Sequence, residues 1–506
     1  RQNQTAPPQD ENVDDNHGKH RARAEMSHRE KQAVQTLCGA SRATKALNRV
    51  TGNGLGSTAN AAHLKQLLEK TPRRESEFEG ESFKEFMQQR YNRNIVTNPM
   101  PQQQPVVLAP QILRMKDDLS PGPTGWSVPM LKAVMRPTSD PLAATAAPLM
   151  DAFISRYLLG GCERWFIKCM ATLKSVLLIK KEYEEYSRAP IRPIGVGDRG
   201  RIAGMGAMIR TKKSAYAGVI GAHNAAYTTS SGGQKLVLTL KIALELSAGR
   251  RQSEQDPDVI WVTDLTNAFN TIHQKMVLDA HYNEEDLQSM VQPLYYQMVE
   301  RAHLLTQTSA TGGLEYVTVS TGSDAQMPAD QFANDAKQRR VLAEEGVIQG
   351  SAEGMLAFCA TVAPMLAKLN QILVKKEVRG TVKAFADDNF GVHPLGLLQS
   401  ICGTLITMAR ALGLVIGLDK SAVGCPSRTL TESERTIALP GGETITLNLI
   451  KVKGVDESGT ETALVNRGVE YHGVPIPFHD EDVEFTQQVV RRRIRKALAR
   501  GAGASH

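Results

Sequence analysis

Two adjacent carboxylates stand in the sequence between two short apolar runs. Asp387 and Asp388 follow Phe385-Ala386, and the runs at 382–385 and 390–392 predict two strands, so we expect a hairpin with the acids at its turn. Neighbouring carboxylates repel each other unless a cation lies beside them, and carboxylate oxygens are ligands of hard metal ions. A metal site is one interpretation of this turn, and a solvated acidic turn is the other.

A third acid, Asp264, follows the apolar run Val259–Val262, which has the length of a buried strand. An aspartate in this position is by itself more often a helix N-cap than a metal ligand. Together with Asp387 it suggests more, because two carboxylates on one sheet could hold two divalent ions about 3.5–4 Å apart, as in two-metal phosphoryl-transfer sites. We therefore predict that Asp264 and Asp387 approach each other on a common sheet.

A glycine-containing segment, Gln349-Gly350-Ser-Ala-Glu-Gly354, precedes a long apolar stretch that predicts a helix over 351–373. Glycines at the start of a helix allow a backbone or a base pair to approach closely. A simple junction between a loop and a helix is the alternative.

The remaining periodicity predicts the elements that must position these residues. Helices are expected at 31–48, 60–70, 128–135, 232–248, 284–302 and 397–413, over most of 141–176, and in the basic segment 491–496. Strands are expected at 177–179, 194–196 and 259–262, and a second hairpin from 436–439 and 444–450. The acid-bearing strands are far apart in sequence without regular βαβ spacing, which favours an α+β fold with an antiparallel sheet and helices on one face.

Composition limits the class of protein. The chain has 506 residues, too many for one ordinary core, with 41% apolar and 22% charged residues. The net charge of +7 permits nucleic-acid binding, and 5% aromatic residues disfavour binding by many stacked bases. Charges interrupt every apolar run of membrane-span length, so no membrane contact is expected. Six scattered cysteines predict free, mostly buried thiols rather than a disulfide scaffold or a zinc site.

The order of these motifs resembles motifs A, B and C of reverse transcriptases: Asp264-x4-Phe269, then Gln349-Gly350, then Phe385-Ala-Asp-Asp388. Four flanking segments resemble those of the non-LTR (LINE-type) retrotransposon enzymes: Ser120-Pro-Gly-Pro-Thr-Gly125, Arg192-Pro-Ile-Gly-Val196, 413–421 as motif D, and Tyr471-His-Gly-Val-Pro475 as the primer grip. The resemblance covers about residues 111–478. The chain departs from the family where Ser351-Ala352 replaces the usual Asp-Pro and where His472 replaces an apolar residue.

The resemblance implies a right-hand polymerase architecture, with fingers, an antiparallel palm sheet backed by helices, and a truncated thumb. The expected divisions are a disordered polar leader over 1–30, a helical extension and linker over 31–110, fingers over 111–250, a palm over 251–460, and a primer grip with a partial thumb over 461–506. The implied activity is RNA-directed DNA polymerisation with an RNA template, a DNA primer and dNTPs. The expected setting is an intracellular ribonucleoprotein in the nucleus or cytoplasm.

The resemblance also implies roles for individual residues. Two Mg²⁺ ions, or Mn²⁺, would be held by Asp264, Asp387 and Asp388 with the carbonyl of Leu265. Phe269 would lie under the incoming sugar and exclude a 2′-hydroxyl, and Gln349 and Gly350 would align the template and primer. Arg192 and Lys180 would bind the triphosphate, and Lys420 would protonate pyrophosphate. A solvated Lys180 and a purely structural Lys420 are the alternatives.

Two other functions remain open at the level of the sequence. An RNA-dependent RNA polymerase usually has a second aspartate five residues after the first acid of motif A, where this chain has Phe269, and a Ser-Gly motif B rather than Gln-Gly. A catalytically impaired, nucleic-acid-binding remnant of a mobile element is the other candidate. The basic segment from Arg491 to Arg500 could contact backbone phosphates in any of these, or form a solvated helix.

Overall fold

The computed structural model describes residues 60–71, 83–93, 106–136, 139–179, 188–227, 230–248, 256–298, 302–307, 314–320, 338–340, 342–343, 345–347, 351–479 and 481–503. The predictions for the leader at 1–30 and the helix at 31–48 lie outside these residues. The free cysteines are confirmed where described, since Cys359, Cys402 and Cys425 are buried and none of the described cysteines is in a disulfide.

Helices make up most of the regular structure. They are α1 Ala61–Glu69, α2 Phe83–Tyr91, α3 Ala109–Ile112, α4 Val128–Met135, α5 Pro141–Leu158, α6 Arg164–Ala171, α7 Arg199–Thr211, α8 Lys213–Ile220, α9 Gly232–Ala248, α10 Ala268–Thr271, α11 Gln274–Tyr282, α12 Val291–Met298, α13 Gly354–Lys375, α14 Leu398–Ala411, α15 Glu432–Arg435 and α16 Val483–Gly503. Short 3₁₀ turns run over Glu285–Met290 and Leu395–Leu397.

The strands are shorter and are distributed along the chain. They are β1 Leu173–Ile179, β2 Ile191–Val196, β3 Asp258–Thr266, β4 Ala302–Gln307, β5 Leu314–Tyr316, β6 Thr318–Ser320, β7 Gln338–Arg340, β8 Leu342–Ala343, β9 Thr381–Phe385, β10 Asp388–Pro394, β11 Val415–Ile416, β12 Ala422–Gly424, β13 Thr436–Ala438, β14 Thr444–Thr446, β15 Asn448–Leu449, β16 Lys451–Val455, β17 Glu461–Val465, β18 Gly468–Tyr471 and β19 Val474–Pro477. The fold is therefore a mixture of helices and sheets, as the sequence predicts.

The sheet that carries the acids has the strand order β15-β12-β3-β10-β9, with β11 also paired to β3. Its pairs are antiparallel except for β12 with β15, so the predicted antiparallel sheet is largely what forms. The central strand β3 is buried at Val259, Ile260 and Trp261 in succession, which is why its sequence is a continuous apolar run rather than an alternating one. Helices α9 and α13 pack against β9.

A second sheet has the order β2-β1-β4-β5, with β8 paired to β4. Strand β1 alternates between buried and less buried residues, and it pairs antiparallel with β2 and parallel with β4. This sheet matters for the site because β2 carries Arg192. A small separate core that includes Leu67, Leu173, Ile191 and Leu304 lies against it.

Helix α13 runs through the main core. Most of its side chains are buried, and it begins at Gly354, whose N–H donates to the hydroxyl of Ser351 over 3.1 Å. Its length and hydropathy of 1.4 meet the requirements of a membrane-crossing helix, contrary to the expectation that no segment of this chain would. Since 61% of that stretch is buried inside the protein, the same apolar composition is accounted for by the core.

Several predicted boundaries are wrong, and in each case long-range pairing is the reason. Residues 141–176 are mostly helical, as expected, in α5 and α6, but β1 begins at Leu173, before the end of that range. The predicted helix at 284–302 gives way to β4 at Ala302. Strand β3 continues past Asp264 to Thr266 because β11 pairs with its end. Pairing across a sheet depends on residues that are distant in sequence, so it leaves no local signal.

Two further predictions are refined. The second hairpin forms from β13 and β14, but the following residues Asn448–Leu449 pair with β12 instead of continuing it. The basic segment 491–496 lies within the much longer helix α16. Gly413 has a φ of 77° directly after the C-cap of α14, so it is a C′ glycine that ends this helix.

The chain divides into two compact units. Among the described residues, one unit contains 453–462 and 486–503, where the hydroxyl of Thr462 donates to Gln488 over 2.8 Å and Arg491 pairs with Glu457 at 3.0 Å. The other contains the described residues from 60 to 452 and from 463 to 485, and both sheets described above belong to it. The finer division into extension, fingers, palm and thumb stays a prediction.

Candidate active site

The acids of the two distant motifs meet on neighbouring strands. In the antiparallel register of β3 and β10, Asp388 lies directly opposite Asp264. Asp264 is therefore inside a strand and is not the helix N-cap that its position in the sequence allows. The backbone carbonyl of Asp264 accepts a hydrogen bond from Gly417 over 2.8 Å, which fixes the strand at this residue. Strands β3 and β10, which carry Asp264 and Asp388, are thus neighbours in one sheet.

The turn between β9 and β10 is tighter than expected. Strand β10 begins at Asp388, so only Ala386 and Asp387 form the connection. Ala386 has a φ of 56°, a left-handed conformation that costs a non-glycine residue about 1–2 kcal/mol. The rest of the structure must therefore hold this residue in place.

Asn224, a residue for which the sequence offers no motif, supplies that support. Its side chain is fully buried, accepts a hydrogen bond from the N–H of Ala386 over 3.1 Å, and donates one to the carbonyl of Ala386 over 3.3 Å. The adjoining backbone is paired as well, since Ala225 donates to the carbonyl of Ala384 and Ala384 donates to the carbonyl of His223. The segment at 223–225 thus holds the acidic turn from outside the sheet.

Burial and neighbouring carboxylates shift the pKa of two of these three acids. Burial, followed by the charge of Asp388 and more weakly that of Asp264, raises the pKa of Asp387 to about 6, while Arg192 opposes the shift. Burial and the charge of Asp264 also raise the pKa of Asp388, against the opposing charge of Lys420. Such a cluster of acids favours a bound cation, because a positive charge relieves both the repulsion and the cost of burial.

Two basic side chains reach the same acids. The ammonium of Lys420 donates a hydrogen bond to Oδ2 of Asp264. Partial burial lowers the pKa of Lys420, but the hydrogen bond and charge of Asp264, aided by Asp419 and Asp388, outweigh it and raise the pKa. Arg192 is exposed on β2, and its charge acts on Asp387.

Phe269 follows a left-handed turn at Asn267, where φ is 52°. Its ring is half-buried and lies 4.7 Å from the ring of Phe358 on α13, measured between centroids. The carbonyl of Phe269 accepts a hydrogen bond from Val347 over 2.6 Å. The ring is therefore supported from behind by the core and constrained through its own backbone.

These residues line one cavity of about 410 Å³. It is bordered by the sequence-predicted residues Arg192, Asp264, Leu265, Phe269, Asp387, Asp388 and Lys420. Lys70, Asn267, Met355 and His472 line it as well, and of these only His472 was noted in the sequence. Lys180, Gln349 and Gly350 lie outside the residues that the structure describes, so their predicted roles stay predictions.

The predicted primer-grip segment also comes to this place. It forms the turn between β18 and β19, where His472 has a φ of 46° and its ring meets that of Phe385 with centroids 4.7 Å apart. The hydroxyl of the neighbouring Tyr471 lies 3.5 Å from the backbone carbonyl of Asp388. The turn between β18 and β19 is therefore adjacent to the acidic turn between β9 and β10.

The donor chemistry of the site fits a hard divalent cation. Asp264, Asp387 and Asp388 offer carboxylate oxygens, and burial together with neighbouring negative charge raises the pKa of Asp387 and Asp388. Across the described ranges, no group of three or more His, Cys, Asp or Glu side chains is arranged so that it could hold a metal ion by itself. Mg²⁺ does not require such a group, since it is usually held by one or two carboxylates together with water and substrate phosphates.

Comparisons with known proteins give only distant matches. No family model and no curated protein matches the chain. Solved structures similar to it include apo telomerase from Candida tropicalis, at 10% identity and a TM-score of 0.37 over 55% of this chain and 48% of that one. Telomerase from Candida albicans in complex with the TWJ fragment of telomeric RNA matches at 13% identity and a TM-score of 0.31, over 55% of this chain and 45% of that one.

A third similar structure is Candida tropicalis telomerase truncated from its C-terminal domain, at 11% identity and a TM-score of 0.35, with 55% of each chain covered. The chain thus spans about half the length of the solved structures it matches. Likeness at this TM-score assigns neither a fold nor an activity, so the chemistry of the site rests on its own residues.

Proposed function

We propose that this chain is an RNA-directed DNA polymerase that adds dNTPs to the 3′-hydroxyl of a primer. The observation that carries the proposal is the cavity in which Asp264, Asp387, Asp388, Arg192 and Phe269 come together. Sequence motifs predict each of them for this reaction, and they come from three strands, one turn and one short helix.

In the proposed reaction, the primer 3′-hydroxyl loses its proton to solvent and its oxygen forms a bond to the α-phosphorus of the dNTP. The bond between that phosphorus and the pyrophosphate oxygen breaks, and pyrophosphate leaves. Mg²⁺ held by Asp264, Asp387 and Asp388 would supply charge stabilisation for the attacking and leaving oxygens. Arg192 would bind the phosphates, since its guanidinium is a permanently charged fork that suits them. The acids must be ionised for this role, and the cation would favour that form of Asp387.

Lys420 fits the role of general acid. Its raised pKa keeps it protonated at neutral pH, and its ammonium lies beside Asp264. A proton given to the leaving pyrophosphate would make that group a better leaving group. The hydrogen bond to Asp264 would orient the ammonium until substrate binds.

The proposal also includes the type of mobile element to which the chain belongs. The Ser120–Gly125 turn, the Arg192–Val196 segment and the Tyr471–Pro475 turn resemble non-LTR retrotransposon enzymes, so we assign the chain to such an element, with an RNA template and a DNA primer as its partners. Within the structure, Arg199 supports the first of these segments by donating to the carbonyl of Ser120 over 2.7 Å.

Primer extension tests the proposal directly. The wild-type chain is given a DNA primer on an RNA template with Mg²⁺, and either dNTPs or NTPs. We expect extension with dNTPs and its loss in Asp387→Asn, with template binding nearly unchanged because binding depends mainly on phosphate contacts elsewhere. Asp286→Asn, which makes the same change at an exposed acid outside the cavity, is the matched control and should extend like wild type.

Other outcomes would overturn parts of this assignment. Extension with NTPs alone would make the chain an RNA polymerase. Template binding without extension by either substrate would make it an inactive remnant. Undiminished extension by Asp387→Asn would remove that residue from the site.

A further inference from the structure

Helix α1 is fixed against the strand that carries Arg192. The side chain of Gln66 donates to the carbonyl of Ala189 over 3.1 Å and accepts from the N–H of Ile191 over 3.0 Å. Its amide group therefore makes the same kind of hydrogen bonds to this backbone as a neighbouring strand would make. Leu67 is fully buried in the same small core as Ile191. The position of α1 relative to β2 is thus set by both polar and apolar contacts.

Lys70, the C-cap of this helix, extends from it into the cavity. It borders the cavity together with Asp264, Arg192 and Asp388, and its ammonium donates to the carbonyl of Ile191, the residue before Arg192. Helix α1 therefore adds a second cationic side chain to the cavity that Arg192 borders. Nothing in the sequence around Lys70 marks it for this place.

The backbone of Lys70 makes a contact that does not involve its ammonium group. Its carbonyl accepts a hydrogen bond from the side chain of Asn267 over 3.0 Å, and Asn267 is the left-handed residue between Asp264 and Phe269. This contact uses a main-chain atom, so a substitution at Lys70 preserves it while removing the ammonium. The contribution of the ammonium group can therefore be measured separately from that of the backbone carbonyl.

The charges in the cavity suit a phosphate chain beside Lys70. Lys420 donates to Asp264, Lys70 donates to the backbone carbonyl of Ile191 on β2, and Lys70 and Arg192 border the same cavity. An ammonium carries three hydrogens on a flexible stem, so it can turn from a backbone carbonyl to a phosphate oxygen without moving the helix. Hydrogen bonds that involve charged partners are also the stronger ones.

We propose that Lys70 binds the triphosphate of the incoming nucleotide alongside Arg192, which makes the N-terminal helix α1 part of the substrate pocket. This inference rests on the proposed polymerase function, and it deepens that function by adding a substrate-binding residue. Lys70 contacts the β- or γ-phosphate and not the base or sugar, so its contribution depends on the length of the phosphate chain.

Equilibrium binding of nucleotides tests this without turnover. The chain is bound to an RNA template and a primer that ends in a dideoxynucleotide, and affinities are measured for the matching dNTP and dNMP. We expect Lys70→Met to weaken dNTP binding about tenfold, the equivalent of one charged hydrogen bond, and to leave dNMP binding unchanged. Lys70→Arg should retain most of the affinity, and Lys65→Met, on the exposed side of the same helix, should match wild type.

The possible results separate this inference from the function on which it rests. Equal weakening of dNTP and dNMP by Lys70→Met would overturn it, since Lys70 would then only brace the strand at Ile191. Unchanged dNTP affinity in a folded Lys70→Met would overturn it too, while wild-type extension would leave the polymerase assignment standing. If Lys70→Met does not fold, Lys70→Gln provides the same comparison. A wild-type complex that binds no dNTP would overturn both.

Discussion

Phe269 shows how one side chain can be both a core residue and a wall of the cavity. One side of its ring packs on Phe358 with centroids 4.7 Å apart, and the residue also borders the cavity with the acids. A rigid wall rejects an added group strongly, whereas a loose pocket does not. Support from Phe358, which is fully buried, is what would make this wall rigid.

We expect Phe269→Val to raise the incorporation of ribonucleotides relative to deoxyribonucleotides, because a smaller side chain leaves room for a 2′-hydroxyl. Each tenfold change in the ratio of kcat/KM values corresponds to about 1.4 kcal/mol of differential transition-state binding. The measurement is single-nucleotide extension with a dNTP and the matching NTP. An unchanged ratio together with a lower midpoint of unfolding would leave Phe269 as a core residue only.

The hairpin of β9 and β10 is held by two asparagines, one at each end. Asn370 on α13 donates to the carbonyl of Val382 over 3.0 Å and accepts from its N–H over 3.2 Å. Asn224 makes the same pair of bonds with Ala386, next to Asp387. Each amide side chain makes the backbone hydrogen bonds that a neighbouring strand would otherwise make. Of the two, only Asn224 bonds to the strained turn residue Ala386.

Because Asn370 and Asn224 make the same kind of bonds, Asn370 provides a matched control for Asn224. We expect Asn224→Ala and Asn370→Ala each to destabilise the chain by about 1–3 kcal/mol, since each leaves a backbone N–H and carbonyl without a partner. Asn224→Ala should in addition reduce primer extension well beyond Asn370→Ala, because it releases the turn that positions Asp387. Chemical denaturation and extension rates at a temperature where both variants are folded make the comparison. Equal rates would show that Asn224 has no role in positioning the acid.

On the scale of the whole molecule, two buried histidines are built into the core in their neutral form. The indole N–H of Trp261 donates to Nε2 of His393 over 2.9 Å, which leaves Nδ1 to donate to the carbonyl of Pro394 over 2.8 Å. His281 has the same arrangement with the hydroxyl of Tyr216 and the carbonyl of Val277. Burial lowers the pKa of each histidine to about 4.

We expect the free energy of unfolding to fall as the pH is lowered from about 6.5 towards 4. The unfolded chain binds protons at both histidines below about 6.5, whereas the folded chain resists protonation until about pH 4, so acid favours unfolding over that window. Asp387 acts in the opposite direction because its pKa is raised to about 6. Denaturation curves at pH 7 and pH 5 for wild type and His393→Gln isolate the histidine.

The variant should lose less stability between these two pH values than wild type does, because glutamine does not titrate. It should also be less stable than wild type at pH 7, since the hydrogen bond from Trp261 is disturbed. Identical slopes in the two proteins would mean that His393 is protonated as easily in the folded chain as in the unfolded one.

The sequence by itself determined the elements with strong local patterns and the residues capable of the chemistry. The continuous apolar run before Asp264 predicted β3, the acids between two strand-like runs predicted the β9–β10 hairpin, and the helix at 232–248 was placed to the residue. These succeed because strand and helix periodicity and turn chemistry are properties of neighbouring residues. Motif order then selected Arg192, Phe269 and Lys420, each of which borders the cavity.

Only the tertiary structure decided which residues support that chemistry. The register that sets Asp388 opposite Asp264, the extension of β3 to Thr266 and the hydrogen bonds of Asn224 to Ala386 across 162 positions all depend on contacts between distant segments. Lys70 reaches the cavity only because Gln66 and Leu67 fix its helix against β2. A single buried amide or a lysine at the end of a helix has no periodicity, so its role arises from packing and cannot be seen in the chain alone.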